Sequence, residues 1–446
     1  MSLLRRALLR RFPTLASIPG PTPRFPLGNL GDLAHGKPWL TSVDYARRFG
    51  PYALLWIGDQ PAIFIHDPAA IETILVTETE RFIKREPVAA MRPAATASNI
   101  FIANGAPWAD RRRRDFFSCE RGAAAWLEGR FQPTQAFLGR RLEALQRGEH
   151  RGFERDLYRL VFDLQSFLSF GRRLPEADFR AYNRMADVVD LRMKANLPLV
   201  TPRFRSSIRR WHRAIDGHLA ICEDDPSGRA LAHVLARSSD LPRAELVTEL
   251  ANIYPGGVFS MTIALLQTLA CLSADGRARD RLIAALRALD DGSPVTYAAI
   301  CGCAELEAAL REALRLHPPV PVFMRSVRAD AVKLGPYRVP AGVRLMIGSL
   351  PLHRDRERWQ HADEFIPERW TPAVIAQNPY GSGHFFPFGR GPRTCAGEAL
   401  ALFVLRSALY HLLASPGPTI EVTAPTEHRF YFGCKMPRRV RATVAD

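Results

Sequence analysis

The sequence is poor in lysine. Only five of its 61 basic residues are lysines, at positions 37, 84, 194, 333 and 435, and the rest are arginines, a skew that fits a GC-rich genome. No unbroken run of 18 apolar residues occurs, so no transmembrane helix is expected. Cysteine is scarce and unpatterned: seven residues, at 119, 222, 271, 301, 303, 395 and 434, an odd number without paired spacings. That excludes a disulfide-stapled secreted scaffold and points to a reducing, cytoplasmic compartment. Cys301-Gly-Cys303 is too isolated to read as a zinc half-site. There is no zinc-finger spacing and no aromatic RNA-binding motif, which removes the common nucleic-acid modules. Internal repeats, low-complexity tracts and a recognisable inter-domain linker are also lacking.

What is present is ample for a large folded domain. Apolar residues make up 47% of the 446. The formal charge of +16 implies acidic partners, and an acidic redox protein fits better than a polyanion. Residues 1–12 alternate leucine pairs with arginine pairs, and the first acid is Asp32. A short helix touching anionic lipid or a transit peptide would have this composition. The simpler reading, adopted here, is a frayed basic segment over 1–17 ahead of a single domain over 18–446.

Proline spacing makes 18–31 an extended lead-in. A helix is expected over 39–49, and a β-hairpin over 52–65 turns at Gly58-Asp59-Gln60-Pro61. Asp67-Pro68 opens a helix to about residue 76. Residues 85–107 read as a long loop suited to substrate contact. The pattern is mostly helical from Trp108 to about residue 315, and short strands return at 332–334, 337–339 and 343–347. Helix therefore dominates, and the strands are short and peripheral.

The chain is organised around 384–397, His-Phe-Phe-Pro-Phe-Gly-Arg-Gly-Pro-Arg-Thr-Cys-Ala-Gly, followed by an apolar helical run over 398–413. Glycines and prolines tighten this loop, and Arg393 stands two positions before Cys395. A cysteine where a helix should begin is placed to exist as thiolate, because backbone N–H groups there favour an anion. A thiolate with a glycine-lined approach suits a flat metal cofactor better than a disulfide. A lone cysteine is more often an inert core residue; here Phe388, Gly391, Arg393, Cys395 and Gly397 stand together in the register of the haem-binding signature of the cytochrome P450 family, which the stretch resembles.

The resemblance implies a mainly α fold with small β-sheets, a triangular helical prism enclosing haem b (iron protoporphyrin IX). Cys395 would be its axial ligand, and thiolate donation favours O–O cleavage. Twelve histidines offer a competing ligand, but none stands in a comparable glycine-framed setting. Glu312 and Arg315 share a helix face. Alone they would be a solvated ion pair of little consequence. With 352–355 and 365–370 they resemble the ExxR and PERW elements of the family, which makes Glu312, Arg315 and Arg369 a buried structural network. Trp108 and Arg112, four apart, resemble the WxxxR element that holds a haem carboxylate, and Arg325 and Arg393 would complete that set. Arg111, Arg113 and Arg114 read as a solvated basic face.

The apolar stretch 245–272 resembles the central helix of the family. Gly256-Gly257 fits its small residues, and Ser260 occupies the alcohol position. The acid position, however, is Phe259, and no carboxylate lies between Glu249 and Asp275. Pro255 should kink or widen this helix. Three reactions stay open: oxygen insertion with protons from Ser260, water or substrate; direct use of peroxide; and rearrangement or dehydration without reductant. A haem-binding sensor or carrier is the alternative from another class. The resemblance favours a monooxygenase acting on a largely apolar small molecule, in secondary metabolism. Its electrons would come from a ferredoxin or flavodoxin with its reductase, docked on the cysteine side by Arg390. The pocket walls would come from 85–105, 193–200, Phe259, 322–324 and Phe432. The proline lead-in resembles the membrane-anchored branch; without an anchor, a soluble bacterial-type monomer is expected, with at most weak peripheral membrane contact.

Overall fold

The computed structural model describes residues 3–34, 38–84, 100–113, 120–142, 150–195, 201–224, 229–238, 240–328, 330–414 and 419–445. The elements that carry the argument are helices α1 (Leu3–Arg11), α2 (Pro38–Phe49), α3 (Gly105–Arg113), α4 (Phe153–Phe170), α5 (Glu176–Ala195), α6 (Pro202–Glu223), α7 (Arg243–Ala274), α8 (Ala304–Leu316) and α9 (Glu398–Ala414). With them go strands β1 (Tyr52–Ile57), β2 (Gln60–Ile65), β3 (Phe82–Ile83), β4 (Val322–Val327) and β5 (Arg344–Gly348). The chain forms two compact units, one of residues 1–85, 311–395 and 428–435, the other of 86–310, 396–427 and 436–446.

The first unit is built on a five-stranded sheet in the order β1-β2-β5-β4-β3. The hairpin appears as the sequence implied, with Gly58 at φ +63° in its turn. Alternation then gives each face its own core. One face carries Leu54, Trp56, Ile63, Ile65, Phe82, Val327, Leu345 and Ile347, all buried. The other carries Ala53, Leu55, Ala62, Phe64 and Met346, under Tyr45 of α2. Strand β2 pairs parallel with β5, Ile63 opposite Leu345, and β4 runs antiparallel to β5, Arg325 opposite Leu345. The strands at 52–65 and 344–348 thus belong to one sheet.

The N-terminus is not frayed. Leu8 and Leu9 of α1 are buried in the first core. Arg5 donates to the carbonyls of Ile18 and Gly20, both at 2.9 Å, and Arg11 pairs with Asp59 in the hairpin turn at 2.7 Å. The alternation of leucine and arginine is that of a helix packed on one side and pinned by its cations.

In the second unit the 32-residue α7 runs through the interior, packed against α4. By length and composition it could cross a bilayer, but 72% of its most apolar window is buried in the protein.

Candidate functional site

Glu312 on α8 is fully buried and surrounded by donors. Its Oε1 accepts from Arg315 Nη2 at 2.8 Å, Arg369 Nε at 2.9 Å and the Ile366 backbone N–H at 3.0 Å. Its Oε2 accepts from Arg315 Nε at 2.9 Å and the Trp370 indole at 2.8 Å. Burial alone would raise this carboxyl, but the Arg315 hydrogen bonds win and hold it below its ordinary value. Arg315, also fully buried, spends its remaining N–H groups on the carbonyls of His353, Ala362 and Glu364. The three residues read as one network are indeed brought together, and Trp370 joins them.

His353 carries that order into the cysteine loop. Its Nε2 accepts the Phe386 N–H at 3.1 Å, so the ring is neutral with its proton on Nδ1. Burial, then Arg315, pushes it down to about 3, and burial pushes His66 down to about 4. Both take up a proton near pH 6.5 when unfolded. Their contribution is therefore complete above that value and lost as pH falls through the window toward the folded values. Thermal unfolding should shift to lower temperature between pH 7 and pH 5, each histidine adding a slope of up to about 1.4 kcal/mol per pH unit below 6.5.

Beyond Phe386 the loop turns twice through positive φ, at Gly389 (+79°) and Gly391 (+72°), where only glycine is unstrained. Gly391 lies so close to the 73–77 turn that a Cβ would land on the Leu75 carbonyl oxygen. The Cys395 N–H donates to the Phe388 carbonyl at 2.8 Å, and the ring of Phe388 meets Tyr380 edge-on at 5.3 Å. The residue Cys395 is exposed. Helix α9 starts at Glu398, with the Gly397 carbonyl as its first acceptor, so Cys395 precedes the helix by three residues instead of opening it.

On the same unit, cations converge beside this thiol. Arg325 is buried on β4, and burial with Arg393 pushes its guanidinium down to about 10. Burial also lowers Arg393 to about 10. A third member was not recognised in the sequence. Strand β3 pairs Phe82 with Val327 and Ile83 with Ser326, so the next residue, Lys84, comes opposite Arg325. Burial, Arg325 and Arg393 push the Lys84 ammonium well down, while Cys395 pulls it back up. Like charges set directly across a sheet are destabilising. Three of them around one thiol suit a bound group bearing carboxylates, and a cysteine of this exposure suits a metal in that group. The donor set fits a haem.

The remaining candidates belong to the second unit. Trp108 and Arg112 are half-buried on α3. Arg111, read as solvated, is instead buried and paired with Glu245 and with Glu249 at 3.3 Å. Glu249 also accepts the Ile100 N–H at 3.3 Å, which commits the last carboxylate before the glycine pair to structure. The side chain of Arg113 and all of Arg114 lie outside the described residues, as do 85–99 and 196–200 of the expected pocket walls. Helix α7 extends on both sides of Pro255. The Ser260 hydroxyl donates to the carbonyls of Gly256 and Gly257, at 2.9 and 3.1 Å. Phe259 is buried and stacked on Tyr158 of α4 at 5.4 Å and Tyr182 of α5 at 6.0 Å. Arg390, expected as a docking cation, is paired with Glu72 and its side chain is only 17% exposed.

No sequence signal marked Lys84 or Arg111. Both are ordinary basic residues whose partners come from β4 and α7, far along the chain.

A family model described as Cytochrome P450 matches residues 18–415. Among characterised proteins, germacrene A hydroxylase from Barnadesia spinosa is 23% identical over 94% of this chain and 86% of its own length. Cytokinin hydroxylase from Arabidopsis thaliana is 23% identical over 91% and 86%. Carotene epsilon-monooxygenase from the same plant is 24% identical over 84% and 76%.

Proposed function

The chain belongs to the cytochrome P450 family of haem-thiolate monooxygenases, and from that premise we propose that it inserts one oxygen atom from O2 into a largely apolar small molecule, with no carboxylate in its distal proton supply. In this reading Cys395 would hold the iron of haem b. Lys84, Arg325 and Arg393 would hold its carboxylates, a role that the family resemblance also implies for Trp108 and Arg112. When bound, the haem supplies oxygen activation, which a thiolate ligand favours.

The observation that carries the proposal is the state of Ser260 and of Glu249, the last carboxylate before the glycine pair. Glu249 is committed to Arg111 and the Ile100 amide. Ser260 Oγ holds its proton toward the Gly256 and Gly257 carbonyls. Its lone pairs stay available to order a water, so protons pass through Ser260 and solvent or come from a substrate group. The apolar character of the substrate is supported by Phe101, whose ring would sit 3.2 Å from a Cβ at Gly256. Electrons come from a ferredoxin or flavodoxin with its reductase, to a cytoplasmic enzyme of secondary metabolism that works as a monomer.

The same scarcity of acid favours a second reading, direct use of peroxide, which brings its own oxygen, electrons and protons. Turnover decides. Candidate ligands are first screened by Soret shift, then incubated with NAD(P)H, redox partners and O2, with peroxide alone, or with neither. Product only in the first set supports the proposal. Product with peroxide alone supports the second reading. Product with neither marks an isomerase or dehydratase, and none from any binding ligand marks a carrier.

Lys84→Met should release haem to excess apomyoglobin about 10-fold faster than wild type, the loss of one charge-assisted hydrogen bond. Lys84→Arg should stay within a few-fold of wild type, and Lys333→Met, on an exposed strand position, should not differ.

A further inference from the structure

Proline in the middle of a helix removes one donor. At Pro255 the missing N–H is the one that would have bonded the Ala251 carbonyl, four residues back. That carbonyl belongs to a buried residue, and a buried acceptor without a donor is costly. The donor comes from another helix. Trp211, at the middle of α6 and only 1% exposed, gives its indole N–H to Ala251 O at 3.1 Å. Its ring is wedged against Tyr254 of α7, edge-on at 5.0 Å, and against Tyr182 of α5 at 5.3 Å.

We infer that Trp211 is a positioning residue for the distal segment Gly256–Ser260, acting through the Ala251 carbonyl that Pro255 leaves without its helical partner. The segment begins one residue after the proline. Its two glycines offer no side chains to fix it, and its functional hydroxyl is anchored on their carbonyls. A helix interrupted at that point is held in register by whatever replaces the missing bond, and here that is a side chain of α6. Where Trp211 sits therefore sets where Ser260 sits. The inference rests on the proposed role of Ser260 in proton supply, and it makes α6 a determinant of distal geometry although none of its residues needs to touch the reacting atoms.

The test is a double-mutant cycle, because the replacement can be undone from either side. Pro255→Ala supplies an N–H to Ala251, so Trp211 becomes redundant. Trp211→Phe removes the donor and some ring volume, and the volume loss is common to both backgrounds. In the holoprotein, amide exchange over 252–260 is followed by mass spectrometry, and the C–O stretch of the reduced carbon monoxide complex by infrared spectroscopy. Trp211→Phe alone should speed exchange in this segment about 10-fold, one buried hydrogen bond's worth, and move or broaden the C–O band. With Pro255→Ala the same substitution should change exchange less than about 2-fold and leave the band in place.

Equal effects of Trp211→Phe in both backgrounds would mean that the ring acts by packing, and would overturn the inference. So would an absence of effect on exchange, or coupled exchange with an unmoved band. If Trp211→Phe does not fold but the double variant does, the rescue itself supports the hydrogen bond; if neither folds, the donor is not what matters and the inference fails. A wild-type protein with no carbon monoxide complex at all would sink the haem reading, while the exchange cycle would still judge the link between Trp211 and Ala251.

Discussion

Glu312→Ala is expected to yield no holoprotein, with soluble expression reduced or lost. The substitution removes one carboxylate and strands five donors. Arg315 has nowhere to move, since its other N–H groups already bond the carbonyls of His353, Ala362 and Glu364. Arg369 Nε, the Trp370 indole and the Ile366 amide lose their acceptor. Breaking a buried ion pair from one side typically costs about 3–5 kcal/mol, and the unsatisfied indole and amide each add about 1–3 kcal/mol. That sum is comparable to the whole stability of an ordinary domain. Glu312→Gln keeps the shape and one acceptor oxygen but loses the charge, and should be intermediate. The measurement is haem content per purified protein and the midpoint of urea unfolding. An alanine variant with normal haem content would show that the network does not hold the loop.

Gly391→Ala should be nearly as damaging, for a different reason. The substitution adds one methyl group and touches no charge. At φ +72° an alanine is strained, and the new Cβ would occupy the place of the Leu75 carbonyl oxygen. Backbone on both sides leaves no flexible side chain to give way. Either the loop lifts from the 73–77 turn or the turn itself moves, and Cys395 follows four residues on. The expected result is loss of the Soret band that marks thiolate ligation in the reduced carbon monoxide complex. Gly433→Ala is the control, since that glycine also has positive φ (+79°) but open space around it. It should cost about 1 kcal/mol and leave the spectrum alone.

What could be read from the sequence follows from how local each feature is. The cysteine loop, the hairpin at 52–65 and the pair Glu312–Arg315 are legible because their partners lie within a turn or two of chain. The arginine run shows the limit. Arg111 and Arg112 are adjacent and chemically identical, yet Arg111 is buried against two carboxylates of α7. Nothing near residue 111 announces Glu245. Lys84 is of the same kind: only the pairing of β3 with β4 brings it opposite Arg325. Pro255 was legible as a lost hydrogen bond but not in its consequence, because the compensating indole comes from residue 211. The N-terminal leucines misled for the opposite reason. Their alternation with arginine suits a frayed tail, a lipid-facing helix or a packed one, and only the hydrophobic face of the β-sheet decides.

The five-stranded sheet also governs how the protein comes into being. Strand β2 lies against β5, and β3 against β4, across hundreds of intervening residues. Closing loops that long is slow. The free edge of β2 cannot be covered by its native neighbour until residues 344–348 have left the ribosome. The cation cluster is just as divided, with Lys84 made well ahead of Arg393. Cofactor capture therefore waits for Arg393, and until residues 344–348 arrive the chain carries an open strand edge of apolar residues. In cells, yield should depend on chaperone supply and on haem being abundant once Arg393 is made, so that slowing translation and feeding a haem precursor together raise the holoprotein fraction more than either does alone.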